Sequence, residues 1–230
     1  SNDLKEKIKG KVLFDEFSRG RYSTDASLYQ IKPIGVVLPK DQFDVLNIIE
    51  YSQKNSIPLL ARGGGSSQCG QTVGECIVLD YSKYQNKILE FNAKEKFVWV
   101  EPGIVLDQLN EYLKPHGLWF PVDVSTSSRA TIGGMTGNNS CGSRSLYYGN
   151  MVNNVLAVES ILDDGSIHTF ENIDKNYLSK TNDQNRKFQI IKKCIDIREQ
   201  VENEINEHWP KTQRRVGGYN IDLILSLIHI

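Results

Sequence analysis

The chain has 230 residues, 39% hydrophobic and 24% charged, enough apolar content for one large domain or two small lobes with cores of their own. Its formal net charge of −1 argues against a nucleic-acid partner. The longest apolar run, Ile221 to Ile230, contains Asp222 and His229 and falls short of the roughly 18 residues a membrane helix needs.

In chain order, Ile34 to Leu38 is a short apolar run suited to a buried strand, closed by Pro39. Asp41 then caps a predicted helix with Phe43, Leu46 and Ile49 as its apolar face. Ile57 to Leu60 reads as the next strand, completing a β-α-β unit that leads into Arg62-Gly63-Gly64-Gly65-Ser66-Ser67. Cys76 to Leu79 and Phe97 to Glu101 read as further strands. Leu106, Leu109 and Leu113 mark one face of a helix ended by Pro115 and Gly117. Residues 121–150 are rich in Gly, Ser and Asn and lack periodicity, which suits a ligand-wrapping segment better than an idle loop. Val155 to Leu162 resumes as a strand, and Asp163-Asp164-Gly165 turns it into a hairpin with Ser166 to Phe170. Residues 185–207 read as a charged helix, and Arg214 to Asn220 as a loop.

The cysteines Cys69, Cys76, Cys141 and Cys194 form no C-x-x-C pair and are too sparse for a disulfide framework. No charged-then-apolar leader opens the sequence, so a reducing, cytoplasmic setting is expected. The start at Ser1-Asn2 and the apolar finish lead us to expect a fragment, with Leu225 to Ile230 resembling translated adapter read-through.

Two glycine-rich loops about seventy residues apart carry the chemistry. The first is Arg62 to Ser67, with Gln71 nearby. The second is Ala130-Thr131-Ile132-Gly133-Gly134, running on to Gly137-Asn138-Asn139-Ser140-Cys141-Gly142. Bare backbone lets a ligand approach main-chain N–H groups, and Ser, Thr and Asn add short hydrogen-bonding arms. The first loop fits neither the G-x-G-x-x-G dinucleotide fingerprint nor a Gly-Lys-Ser/Thr phosphate loop. It is either a tight structural turn or a nest of donors for a diphosphate, and a second such loop favours the nest. His116, His168, His208 and His229 show no metal-ligand spacing. Trp99 and Trp119 read as core, and Asp163-Asp164 as turn chemistry. Arg214 and Arg215 suit either a substrate carboxylate or a salt bridge.

Over residues 20–170 the chain resembles the FAD-binding module of the vanillyl-alcohol-oxidase superfamily, also called PCMH-type or FAD-linked oxidases. The likeness rests on Tyr22-Ser23-Thr24-Asp25-Ala26-Ser27, the Arg62–Gln71 loop, Glu101-Pro102-Gly103, Pro121 to Thr126, Ala130 to Gly134, Asn138 to Gly142, Tyr148-Gly149 and Val155 to Gly165. Within that superfamily it is similar to D-2-hydroxy-acid dehydrogenases of the D-lactate, glycolate and D-2-hydroxyglutarate kind. Asn138 to Gly142 and Arg214 to Asn220 are similar to the large members with a C-terminal iron–sulfur domain.

The resemblance implies an α+β, two-lobed fold with the second lobe incomplete. Residues 1–30 would be a helical lead-in, 31–121 the first lobe and 122–213 the second. Residues 214–230 would begin a further half or be a non-native tail. Arg62, Gly63, Gly64, Gly65, Ser66 and Ser67, with Gln71, would wrap the FAD pyrophosphate. Pro121, Asp123, Ser125 and Thr126 would lie along the flavin side. Thr131, Ile132, Gly133, Gly134 and Asn138 would complete the ribityl and diphosphate cradle, Gly142 would allow close approach to the ring, and Val155 to Leu162 would border the adenine. Some members attach flavin through a His in the first loop; Ser66 stands there, implying non-covalent FAD, with Cys141 a small buried thiol rather than a second attachment point.

The implied reaction is hydride transfer from the substrate C2–H of a small 2-hydroxy acid to flavin N5. A quinone, a cytochrome or an electron-transfer flavoprotein would take the electrons, in the cytoplasm or at the membrane periphery. Catalytic base, metal ion and iron–sulfur cluster would lie in a C-terminal part beyond this sequence. The alternatives are an oxidase or reductase of the same fold acting on a sugar alcohol or cell-wall precursor, or a flavin-binding subunit without catalysis of its own.

Overall fold

The structure, a computed structural model, describes residues 2–173, 177, 185–212, 215 and 219–226. Helix α1 (Asn2–Lys7) and strand β1 (Lys11–Leu13) open the chain. Helix α2 (Glu16–Arg21) follows, its first turn capped by Asp15, which accepts the Ser18 N–H at 2.9 Å. Strand β2 (Gly35–Leu38), helix α3 (Gln42–Asn55) and strand β3 (Leu59–Arg62) form the expected β-α-β unit, and strand β4 (Ile77–Asp80) lies between its two strands. The sheet order is β1-β2-β4-β3, with only β1 antiparallel. Every residue of β2 and β4 is buried, as parallel strands covered on both faces require. One face packs Val37, Ile77 and Leu79 against Leu4, Ile8 and Ile48, while Val36, Leu38, Cys76 and Val78 form the other.

Asp41 caps α3 as expected, accepting the Asp44 N–H at 3.1 Å. The buried face of α3 is not the expected one, however: Val45 and Ile48 are buried and Phe43 is 68% exposed. Phe43 lies two positions before Val45, about 200° around the helix at 3.6 residues per turn. Buried Asp44 fixes the helix to the lead-in by accepting the main-chain N–H groups of Lys9 (2.8 Å), Gly10 (2.9 Å) and Lys40 (2.8 Å).

Strands β5 (Ile88–Asn92) and β6 (Phe97–Val100) make an antiparallel pair. Helix α4 (Leu106–Leu113) buries the expected Leu106, Leu109 and Leu113, and Gly117 closes the following turn in the left-handed conformation. Residues 121–150 are less irregular than expected. They hold α5 (Ile132–Gly137) and α6 (Ser145–Tyr148), and α7 (Met151–Asn154) follows directly. Helices this short show no 3.6-residue period; caps such as Thr131 and the reciprocal Asn150–Asn153 pair define them.

Strands β7 (Ala157–Ile161) and β8 (Ile167–Glu171) form the expected hairpin. The single helix expected over 185–207 is two, α8 (Arg186–Gln200) and α9 (Glu202–His208), separated at Val201. Trp119 is 39% exposed rather than core, edge-on to Tyr148 at 5.2 Å with the Arg144 guanidinium 5.0 Å over its ring. His168 sits in β8, its Nε2 buried without a hydrogen-bond partner among the described residues. Arg214 lies outside the described residues. Arg215 pairs with Asp222, stacks on Trp209, and its carbonyl accepts the Asn150 amide at 2.9 Å.

Candidate functional site

A cleft of about 1850 Å³ runs between the four-stranded sheet unit and the later elements. The two glycine loops both line it. Helix α3, strand β6 and, around β7, Val155 to Glu159, Ile161 and Leu162 also line it. Of the residues singled out in the sequence, Arg62 to Ser67, Gln71, Ser125, Thr126, Thr131 to Gly134 and Asn138 all line it. Tyr81, beside β4, also borders the cleft, and burial pushes its phenol up to about 12.

Two glycines of the first loop, Gly63 and Gly64, are fixed by the second loop and the turn before it. A Cβ on Gly63 would lie 2.0 Å from Thr131 Oγ1, and one on Gly64 would lie 2.2 Å from the Arg129 carbonyl oxygen. Buried Thr131 is thus held between Gly63 and α5, whose Gly134 N–H it accepts at 3.3 Å. Across the mouth of the loops, Gln71 Nε2 donates to Asn138 Oδ1 at 3.1 Å, and the Asn138 amide donates to Ser140 Oγ at 3.0 Å. Ser67 Oγ donates to Gln71 Oε1 at 2.7 Å.

The two loops differ in which donors remain open. In the second, Ile132 N–H donates to Ile104 O at 2.9 Å and Gly133 N–H to Pro102 O at 2.8 Å. In the first, none of the main-chain N–H groups of Gly63, Gly64, Gly65, Ser66 or Ser67 has an acceptor among the described residues. Unpaired amides on a cleft wall need water or an anion as partner. The first loop therefore fits a diphosphate, with five successive donors and the Ser66 hydroxyl. The second lines the same cleft with its Ile132 and Gly133 amides engaged.

Pro121, Asp123 and Gly142 do not border the cleft. Asp123 instead organises the turn before α6, accepting Ser143 Oγ–H at 2.8 Å and the Arg144 N–H at 3.0 Å. Desolvation opposes ionisation of this carboxyl, but those two donors and the Arg144 charge hold it below its ordinary value. Gly142 packs on Asp123, where a Cβ would meet the Asp123 carbonyl oxygen at 2.1 Å. The cleft face of α3 (Val45, Ile49, Ser52) and Gln85 had no signal in the sequence beyond helical period and loop composition.

Cys69 and Cys141 also line the cleft, and all four cysteines are free thiols. Among the described residues no three His, Cys, Asp or Glu side chains come together as a metal site, and no helix is long and apolar enough to cross a membrane.

An α+β fold with two glycine loops facing one long cleft, one of them a row of open amides, is the architecture of PCMH-type flavin proteins. The chain belongs to the FAD binding domain family, whose profile matches residues 33–171. It is 34% identical over 231 aligned positions to D-2-hydroxyglutarate dehydrogenase of Haemophilus influenzae, covering 95% of this chain and 22% of that protein. It is 36% identical over 170 positions to mitochondrial D-lactate dehydrogenase (cytochrome) of Kluyveromyces lactis, covering 72% of this chain and 29% of that one. The chain thus spans about a fifth of the length of the first of these relatives. Among solved structures, alkyldihydroxyacetonephosphate synthase superposes with a TM-score of 0.66 at 20% identity, over 77% of this chain and 35% of that one. That likeness speaks for the fold alone.

Proposed function

We propose that this chain is the FAD-binding part of a flavoprotein oxidoreductase that oxidises a D-2-hydroxy acid of the lactate, glycolate or 2-hydroxyglutarate class to its 2-oxo acid. The row of unengaged amides from Gly63 to Ser67 on the cleft wall carries the cofactor assignment. The names of the two relatives supply the substrate class.

In this reading the diphosphate is held by main-chain dipoles more than by cations. The Arg62 guanidinium is engaged with carbonyls, and the lysines at the cleft, Lys40, Lys87 and Lys96, belong to other elements. Gln71 and Asn138 keep the two loops in register, Ser125 and Thr126 line the wall beyond them, and Val155 to Leu162 flank the far end beside the adenine. Pro121, Asp123 and Gly142 support the flavin side indirectly, by fixing the turn between Val124 and α6. Bound flavin supplies a two-electron acceptor for the substrate C2 hydride at N5; the chain's own residues bind it, orient it and exclude water. The lobe division at residues 121 and 122 belongs to the same proposal.

Ser66 stands where some members of the family carry a flavin-linked His, so attachment is non-covalent. Electrons pass onward to a quinone, a cytochrome or an electron-transfer flavoprotein, in the cytoplasm or at the membrane periphery. The acid–base residue and any metal ion or iron–sulfur cluster are supplied from outside these residues. Acid precipitation followed by chromatography of the supernatant tests the attachment. FAD free in the supernatant is expected, and flavin retained in the pellet would refute the non-covalent assignment. Assay of the longer protein with D-lactate, glycolate and D-2-hydroxyglutarate tests the substrate class; reduction of its flavin by none of them would refute it.

A further inference from the structure

The motif Tyr22-Ser23-Thr24-Asp25-Ala26-Ser27 lies outside residues 33–171 and none of it borders the cleft, yet it is tied directly to the first glycine loop. Arg62, where β3 gives way to that loop, turns its guanidinium back toward the motif. Nη1 donates to Tyr22 O at 3.3 Å and to Thr72 O at 3.1 Å, and Nη2 donates to Thr24 O at 2.8 Å. The guanidinium also lies 5.2 Å over the Tyr22 ring, whose hydroxyl donates to Asp80 at 2.5 Å. Asp25 accepts Thr72 Oγ1–H at 3.1 Å, closing the far end of the loop. The loop is moulded on these groups: a Cβ on Gly65 would meet Arg62 Nη2 at 2.4 Å, and one on Gly70 would meet the Tyr29 ring at 2.7 Å.

We propose that residues 22–30 form a strap that holds the first glycine loop in its cofactor-binding shape, with Arg62 as a positioning residue and not the counter-charge of the diphosphate. The proposal rests on the FAD reading above. A row of open amides binds an anion well only if it is fixed beforehand, because ordering it on binding opposes affinity. Three carbonyls spread over two segments match the planar fork of arginine and not a single ammonium.

The test is the FAD dissociation constant of the wild type and of Arg62→Lys, Asp25→Ala and Thr72→Val, with amide hydrogen exchange measured without FAD. Arg62→Lys should bind FAD about tenfold or more weakly despite its kept charge, the loss of at least one charge-assisted hydrogen bond's worth of order. Asp25→Ala, at a residue that does not itself border the cleft, and the near-isosteric Thr72→Val, at one that does, should each weaken binding by about threefold. The hydrogen-bonded amides of loop and strap, Cys69 and Gln71 on Ser67 Oγ and Ile31 on the Ser23 carbonyl, should exchange faster in all three, while those of β4 stay as protected as in the wild type. A wild type that binds FAD, with Arg62→Lys and Asp25→Ala binding equally well, would overturn the strap and leave the FAD reading standing. Normal binding by Arg62→Lys with loss only in Arg62→Gln would make Arg62 a charge contact and overturn it too. A wild type that binds no FAD would sink the parent reading itself.

Discussion

Replacing Gly64 with alanine tests the meeting of the two loops most sharply. The added methyl would sit 2.2 Å from the Arg129 carbonyl oxygen and 2.9 Å from its carbonyl carbon. Both are main-chain atoms of the turn leading to Thr131, so neither can rotate away. Even favourable carbon–oxygen contacts keep about 3.3 Å, so the loops must separate locally by about 1 Å. Overpacking of that kind costs ~1–3 kcal/mol, which a urea titration of the FAD-free protein reads as a lower unfolding free energy. FAD affinity should fall by about tenfold as the cradle opens, a change of ~1.4 kcal/mol. Gly20 supplies the control: it lies in α2, where an added Cβ would have nothing within 4 Å, so Gly20→Ala should stabilise the chain by ~0.5–1 kcal/mol. Unchanged stability and unchanged FAD affinity in Gly64→Ala would refute this packing of one loop on the other.

Three further outcomes follow from other parts of the fold. Asp44→Ala strands the three main-chain N–H groups of Lys9, Gly10 and Lys40 and should cost about 3 kcal/mol or more in a denaturant titration; a loss under ~1 kcal/mol would contradict the anchoring role. The Asp123 carboxyl, lowered from its ordinary 3.8, contributes stability that is present above that value and lost as pH falls through its lower folded value. Asp123→Asn should therefore be less stable at neutral pH but show a shallower loss on acidification below about pH 4, measured by thermal melts across pH; an unchanged acid limb would contradict it. Among the thiols, exposed Cys69 should react first with a thiol reagent, while Cys76, whose pKa burial raises, should react slowly. Saturating FAD should slow Cys69, because it lines the cleft; a rate indifferent to FAD would place the cofactor elsewhere.

Features set by local pattern were legible in the sequence. The apolar run at β2, the leucine face of α4 and the Asp164-Gly165 hairpin turn each follow from a few consecutive residues. Features set by distant partners were not. Strand β1 is three residues long and exists by pairing with β2. The glycines at 63 and 64 stand out in the sequence, but their reason, contact with Thr131 and Arg129, is a tertiary one. Arg62 reads as part of a phosphate loop, whereas two of its three carbonyl partners, Tyr22 and Thr24, lie about forty residues earlier. The flavin-side roles of Asp123 and Gly142 are implied by the family resemblance and not by local pattern; that Gly142 packs on Asp123 is a tertiary contact the sequence does not show.

The central claim is that the open amides of the first loop hold the diphosphate of FAD. The most direct measurement is an absorption spectrum of the purified chain after incubation with FAD and removal of the excess. The account predicts bands near about 370 and 450 nm that stay with the protein and leave it as intact FAD on denaturation. A folded chain that remains colourless in the presence of excess FAD would contradict it.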